Sequence, residues 1–408
     1  MDKIAIIKES RVDDKRTPLA PRHINALLTR FPNLSITVQP SKHRCFLDQE
    51  YKDCGAIISE DLRISDLILG VKEIEPNLLI PSKSYMFFSH TTKIQPDNSA
   101  AAQGTPGMDK KELIKEIIKR KITLIDYENI RDDLSRRYLG FGRFAGIVGC
   151  YNSLNLYLET DGQSPMPRAY ELNSYKKLKE NINKRNFANA RIVITGDGRV
   201  ARGSLEFIES ANIKQVTPEE FIENNNTSAV FCNLPTSKYV SNKKGDDFDL
   251  QHFINCPEKY ISVLDKYLHT TTMLITSHYW DPKSPRLFNK NDIAKYAKLK
   301  VIGDITCDIN GSIPTTLRST TIKNPYFYLD PITFKEVEKN NDSLAIMAVD
   351  NLPSELPKDS SVEFGDGIVN EVLPFMIEKD DGRILNATIT HNGQFLSKYQ
   401  YLSDYINS

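Results

Sequence analysis

Short apolar runs alternate with stretches of helical spacing along most of this 408-residue chain. KIAIIKE (3–9) reads as a buried strand. Residues 21–31 read as a helix, because Ile24, Leu27, Leu28 and Phe31 recur at i, i+3, i+4 and i+7. Further strands are expected at 35–39, 66–72, 85–90 and 121–128. Strands alternating with helices build βαβ units around a mostly parallel sheet. A second series starts near residue 140 with FAGIVGCYNSLNLYL (144–158), which is apolar and helical in spacing. Strands follow at 191–195, 213–216, 229–235, 271–280 and 300–311. After about residue 330 the pattern turns helical again, most strongly at 363–378, and these last residues are candidates to return to the first domain. Residues 98–107 and 242–249 are small or polar and read as loops. DKKELIKEIIKRK (109–121) is a basic amphipathic helix whose charges form a solvated face.

Composition narrows the class. Lys+Arg and Asp+Glu are both 53, so the formal charge is zero, which argues against a general nucleic-acid binder. A 40% hydrophobic share supports a packed core. No window approaches 18 uninterrupted apolar residues, so no membrane span is expected. The N-terminal apolar run, Ile4 to Ile7, is too short for a signal peptide. Six cysteines without CxxC spacing indicate neither a disulfide framework nor a zinc site. The expected setting is soluble, reducing and cytoplasmic, with no metal, no membrane and no nucleic acid, for a monomer or small homo-oligomer.

RIVIT (191–195) is a β-branched apolar strand followed by GDGRVARG and a helical stretch, a G-x-G-x-x-A variant in the strand–helix context that dinucleotide binding requires. Gly196 supplies the tight turn, Gly198 lets backbone approach a pyrophosphate, and Ala201 is small enough for close packing. The amides of Arg199, Val200 and Ala201 then face the phosphates at the helix N-terminus. The alternative is an ordinary tight βα turn. The strand at 213–216 runs into Thr217 without the carboxylate that would bond an NAD ribose, and Lys214 or Arg199 would instead meet a 2′-phosphate. The cofactor is NAD or NADP, with a lean to NADP. Asn233, ending AVFCNLP, is expected to line the cofactor edge through its backbone.

Lys72 and His90 each end an apolar strand, so both project from the carboxyl edge of a sheet, where ligands bind in open α/β folds. Taken alone, a strand-end lysine is a surface charge and a single histidine a satisfied structural group. The ordered segments KRTPLAPRHI (15–24), LILGVKEIEP (67–76), FFSHTTK (87–93), LIDYENI (124–130), SRRYLGFGRFAGIVG (135–149), the glycine motif, PEKYIS (257–262), YWDPKSPRLF (279–288), DITCDINGSI (304–313) and VDNLPSELP (349–357) change that. Together they make the chain resemble the alanine dehydrogenase, transhydrogenase and saccharopine dehydrogenase superfamily, most closely the lysine-ketoglutarate reductase half of aminoadipic semialdehyde synthase.

The resemblance implies an α/β fold of two Rossmann-like domains with parallel sheets and an interdomain cleft. Residues 1–137 plus 330–408 would bind substrate and 138–329 the dinucleotide. It implies NAD(P)-dependent interconversion of saccharopine with lysine and 2-oxoglutarate through an imine. Lys72 and His90 would be the acid–base pair, with Glu128 a carboxylate near the lysine. Arg16 and Arg137 would bind substrate carboxylates, and Glu9 would orient Arg16. Asp308 would contact the cofactor or the substrate amine. The competing readings are an alanine dehydrogenase or other amino-acid or opine dehydrogenase on the same scaffold, and an idle nucleotide-binding regulator. DITCDINGSIPTT departs from the longer pattern of the family, so Asn310 and Pro314 alter the cofactor edge.

Overall fold

A computed structural model describes residues 1–93, 108–223 and 228–407; the expected loop at 98–107 lies outside them. The chain divides into two compact units, Met1–Phe141 with Pro357–Ser408, and Gly142–Leu356.

In the first unit six strands lie parallel: β1 (Lys3–Ile6), β2 (Ser35–Val38), β3 (Ile57–Ile58), β4 (Leu67–Leu69), β5 (Ser84–Phe87) and β6 (Thr123–Asp126). Their spatial order is β6-β5-β4-β1-β2-β3. β1 and β4 are apolar on both faces because helices cover both sides of a parallel sheet. The helix Pro21–Arg30 buries Ile24 and Leu27 against one face, as its spacing predicts. The C-terminal segment completes this unit. Phe364, Ile368, Val372 and Leu373 join the same core as Ile4, Leu67 and Met86. Thr388–His391 adds an antiparallel strand to β6.

The second unit holds an eight-stranded sheet in the order Glu336–Val337, Tyr326–Leu329, Leu344–Met347, Val301–Asp304, Met273–Thr276, β7 (Arg191–Thr195), β9 (Val230–Leu234) and β8 (Lys214–Gln215). The pairings from Leu344–Met347 to β8 are parallel, and the two outermost strands at the other edge are antiparallel. Both units are therefore mostly, not wholly, parallel.

The boundary expected at 330 moves to 357. Residues 344–347 (LAIM) are a fully buried strand beside Val301–Asp304, not part of a helical tail. Four consecutive apolar residues carry no period, so strand and helix look alike at this length. The late helix also differs: it runs Pro357–Glu371, breaks, and resumes at Leu373–Ile377, with Pro374 in its first turn. Among the described residues no helix is long and apolar enough to cross a membrane.

The helix Gly142–Thr160 is buried along nearly all its length and forms the spine of the second unit. It crosses the helix Arg199–Ile208 at backbone contact. A Cβ at Gly146 would overlap the Val200 carbonyl oxygen, and one at Gly203 the Arg143 carbonyl oxygen. Relieving either overlap requires the two helices to move apart and give up their packing. Gly203→Ala is therefore expected to destabilise the chain by at least about 2 kcal/mol, read as a lower midpoint in denaturant. An unchanged midpoint would show that the crossing is looser than described.

Candidate active site

The parallel register brings four strand ends of the first unit to one edge. Ile6 of β1 pairs with Leu69 of β4, Leu69 with Met86 of β5, and Phe87 with Asp126 of β6. The residues that follow these ends are Glu9, Lys72 with Glu73, His90, and Glu128. Expected candidates separated by more than 100 positions thus emerge from adjacent strands, on the side where ligands bind in such sheets.

Their electrostatics are dominated by burial. Asp14 is buried and forms a bidentate pair with Arg16, from Nε to Oδ1 at 2.9 Å and from Nη2 to Oδ2 at 2.5 Å. Arg16 is only 4% exposed, and its guanidinium lies 4.2 Å from the centroid of the Phe141 ring. Burial pushes the Asp14 carboxyl up, but the charge and hydrogen bonds of Arg16 and the charge of Lys72 outweigh it and hold the group well below the usual carboxylate range. Glu9 accepts the backbone N–H groups of Val71 at 2.7 Å and Lys72 at 2.8 Å. Loss of hydration and the negative charge of Asp14 push Glu9 up to about 7 against those bonds.

The Lys72 ammonium is lowered from its ordinary 10.5. Burial is the main cause and the Arg16 charge adds to it, while Glu73 and Asp14 oppose it. Beside it, Glu73 is 1% exposed and its Oε1 lies 2.7 Å from Nδ1 of His90. Burial lowers His90 from 6.5 more strongly than the hydrogen bond and charge of Glu73 raise it. A neutral imidazole that donates Nδ1–H to a carboxylate keeps its Nε2 lone pair for proton transfer. His90 also has φ of +51°, in the left-handed region that residues other than glycine adopt uncommonly.

Glu128 is 4% exposed and pairs with Nη1 of Arg137 at 3.2 Å. Of the two arginines, Arg137 is the more open, with 34% of its side chain exposed. The structure brings Glu9, Arg16, Lys72, His90, Glu128 and Arg137 into one unit. Asp14 makes the bidentate pair that fixes Arg16, while Glu9 accepts the Val71 and Lys72 amides and meets Arg16 through its charge. Sequence reasoning missed Asp14, Glu73 and Asp126. Glu73 carried a usable signal as an acid directly after the strand-end lysine; Asp14 and Asp126 carried none beyond nearness to Arg16 and Glu128.

In the second unit β7 leads into Gly196, whose φ is +101°. A Cβ there would meet the Ser277 carbonyl oxygen at 2.8 Å and His278 Cα at 2.9 Å, so the turn demands glycine. Gly198 sits at the N-cap of Arg199–Ile208, and a Cβ on it would meet nothing within 4 Å. That open space before a helix N-terminus fits a pyrophosphate. Arg199 is exposed, Val200 partly buried and Ala201 buried. Ala201 is fully buried, and the closest approach between this helix and Gly142–Thr160 falls on Gly146 and Gly203. The side chain of Asn233 also braces the glycine turn: its amide donates to the carbonyls of Gly196 at 2.9 Å and Ile194 at 3.2 Å.

Thr217 is displaced from its expected role. β9, not β8, lies beside β7, so Thr217 follows the edge strand one position further out. Its hydroxyl caps the helix Pro218–Glu223 by accepting Glu220 N–H at 3.1 Å, and Glu220 returns the bond to Thr217 N–H at 2.9 Å. The neighbouring strand β9 ends at Leu234 and leads through Pro235 into a short helix, Thr236–Tyr239. Asp308 is partly buried in a turn closed by Gly311 N–H donating to its carbonyl at 2.9 Å. The deeply buried carboxylate of this segment is Asp304, held by the hydroxyls of Thr276, Thr306 and Thr316. His278 is buried beside the glycine turn, with Nδ1 2.8 Å from Thr195 Oγ1, and burial alone pushes it down to about 4.

Residues 5–148 match the family described as alanine dehydrogenase/PNT, N-terminal domain. Over 95% of its length the chain is 29% identical to the mitochondrial alpha-aminoadipic semialdehyde synthase of Bos taurus, covering 46% of that protein. It is 31% identical to the alpha-aminoadipic semialdehyde synthase of Arabidopsis thaliana, covering 40% of it. It is 23% identical to the saccharopine dehydrogenase (NAD(+), L-lysine-forming) of Emericella nidulans over 94% of both chains. The chain is a homologue of these enzymes. It spans just under half the length of the synthases. In fold it is similar to an L-alanine dehydrogenase, with a TM-score of 0.63 at 13% identity over 99% of each chain. It is likewise similar to the transhydrogenase of Sinorhizobium meliloti, with a TM-score of 0.58 at 13% identity over 97% of this chain and 99% of that one.

The contrast between the two glycines is directly testable. Gly198→Val is expected to leave the melting temperature within a few degrees of the parent while abolishing the fluorescence change on titration with NADPH or NADH. Retained nucleotide binding would place the phosphates elsewhere.

Proposed function

We propose that this chain is a nicotinamide-dependent oxidoreductase of the saccharopine dehydrogenase type, which joins the ε-amine of lysine to the ketone of 2-oxoglutarate and reduces the resulting imine to saccharopine, or runs the reverse. The observation that carries the reading is the emergence of Lys72, the His90–Glu73 pair and two arginines from one edge of the first sheet, with Lys72 lowered below its ordinary range. Homology to enzymes named for this chemistry supports it.

The chemistry has several proton movements. The incoming amine must lose a proton to attack the ketone, the carbinolamine must lose hydroxide as water, and the product amine must end protonated. Nε2 of His90, free to accept while Glu73 takes Nδ1–H, suits the deprotonation. Lys72 suits the return of that proton to the departing hydroxyl, because burial and Arg16 make its ammonium more acidic than a solvated one. Arg137, with its partly exposed guanidinium, suits a bidentate grip on a substrate carboxylate. Arg16, already bonded to Asp14, acts mainly by adding positive potential beside Lys72.

The bound dinucleotide would supply or take up the hydride. Gly196, Gly198 and the first turn of Arg199–Ile208 would hold its pyrophosphate, with Asn233 fixing the turn. The nearby carboxylates are engaged, Glu220 in the Thr217 cap and Glu219 with Lys238 at 2.8 Å. With both carboxylates so engaged and the exposed Arg199 at the start of the phosphate-side helix, we favour a 2′-phosphate and hence NADP(H).

The test is a spectrophotometric assay with NADPH or NADH, 2-oxoglutarate and a panel of amines. Turnover with lysine, faster with NADPH, and none with ammonia plus pyruvate is expected; the opposite amine preference would select alanine dehydrogenase chemistry. Lys72→Met and His90→Gln should each lower turnover by about two to four orders of magnitude. Near-parental rates in both would remove them from the mechanism.

A further inference from the structure

We propose that Asp126 is the positioning residue of the acid–base site: one buried carboxyl group that locks the His90-bearing turn and the Glu128-bearing turn to each other. The inference rests on the function proposed above for the significance of those turns, but its structural part can be tested without turnover.

Asp126 ends β6 and is completely buried. Its two oxygens serve two different strand ends. Oδ2 accepts the backbone N–H of Ser89 at 3.1 Å and the hydroxyl of Ser89, and Oδ1 accepts the backbone N–H of Glu128 at 2.8 Å. Ser89 is itself tied to Thr91, with the two hydroxyl oxygens 2.8 Å apart and Thr91 N–H donating to Ser89 Oγ at 3.3 Å. The residue between Ser89 and Thr91 is His90, whose backbone is left-handed. A non-glycine residue persists in that conformation only when its surroundings over-determine it. Here the surroundings are the Asp126–Ser89–Thr91 chain on one side and the Glu73–Nδ1 bond on the other.

Every hydrogen bond Asp126 makes in this way is to a loop that carries a proposed functional group, and none holds the strand pairing itself. β5 and β6 are already registered by backbone pairing from Ser84–Thr123 to Phe87–Asp126. An asparagine could pack in the same space, but its amide nitrogen cannot accept from Ser89 or Glu128 N–H. Because the site depends on sub-ångström placement, and a displacement of about 1 Å can cost about a hundredfold in rate, the clamp acts on turnover through His90 and Glu128.

The experiment compares Asp126→Asn and Ser89→Ala, the latter removing only the hydroxyl arm, with a surface control, Lys115→Gln. The first readout is the downfield proton resonance of His90 Nδ1–H, assigned by its loss in His90→Gln. It should broaden or vanish in both variants and persist in the control; persistence in both would overturn the proposal. The second is turnover, expected to fall about tenfold to a hundredfold in Asp126→Asn with the nucleotide dissociation constant unchanged within twofold. In a His90→Gln background the same substitution should cost severalfold less than in the parent, because one of the two groups it positions is gone and only the Glu128 arm remains. Full additivity would mark Asp126 as merely structural and refute the inference. If the parent chain turns over none of the amines, the proposed function fails by itself, and the Nδ1–H resonance alone decides the clamp.

Discussion

Removing the Asp14–Arg16 pair and its neighbours from water is the constraint on which the site depends. A buried ion pair contributes little net stability, because desolvation offsets the Coulomb attraction. Its effect lies in the field it leaves behind. Arg16, fixed by Asp14 and stacked on Phe141, adds positive potential beside a lysine already short of hydration, and both effects favour the neutral amine. Burial, with the charge of Asp14 added to it, pushes Glu9 the other way. Groups with opposed shifts, brought to one sheet edge, are the arrangement expected where protons must move near neutral pH.

The two units solve separate problems with one geometric device, the carboxyl end of a parallel sheet. In the first, side chains crowd the edge and their charges set one another's affinities for protons. In the second, side chains withdraw. Gly196 permits the tight turn, Gly198 leaves backbone accessible, Asn233 braces the turn, and Gly146 and Gly203 let two helices touch so that the helix after the turn is held closely. The C-terminal segment supports the first unit: Phe364 packs against Phe88, Tyr127 and Phe141, and Ser361 accepts the N–H of Thr17 next to Arg16 at 3.0 Å.

Much of this was legible in the amino-acid order. The β1, β4, β5 and β6 strands and the glycine turn announced themselves because apolar runs ended at residues with obvious chemistry. What the order concealed was spatial. The displacement of Thr217 followed from strand order, since nothing in IKQVT reveals that β9 separates β8 from β7. Leu344–Met347 reads as part of a helical tail because four buried residues have no period. Asp14, Glu73 and Asp126 were hidden because a carboxylate's role depends on which donor lies across the fold. Ser89 and Asp126 are 37 positions apart, and only the pairing of β5 with β6 brings them together.

The proposed chemistry requires Lys72 to be an amine of lowered basicity that substrate covers. Its labelling by a limiting dose of an amine-directed acylating reagent, followed across pH by mass spectrometry of the Lys72 peptide, tests both properties at once, because only the neutral amine reacts. The expected midpoint lies clearly below 10.5 and the labelling is suppressed by 2-oxoglutarate with NADPH. A midpoint at the ordinary value of a solvated lysine, with no protection by those ligands, would contradict it.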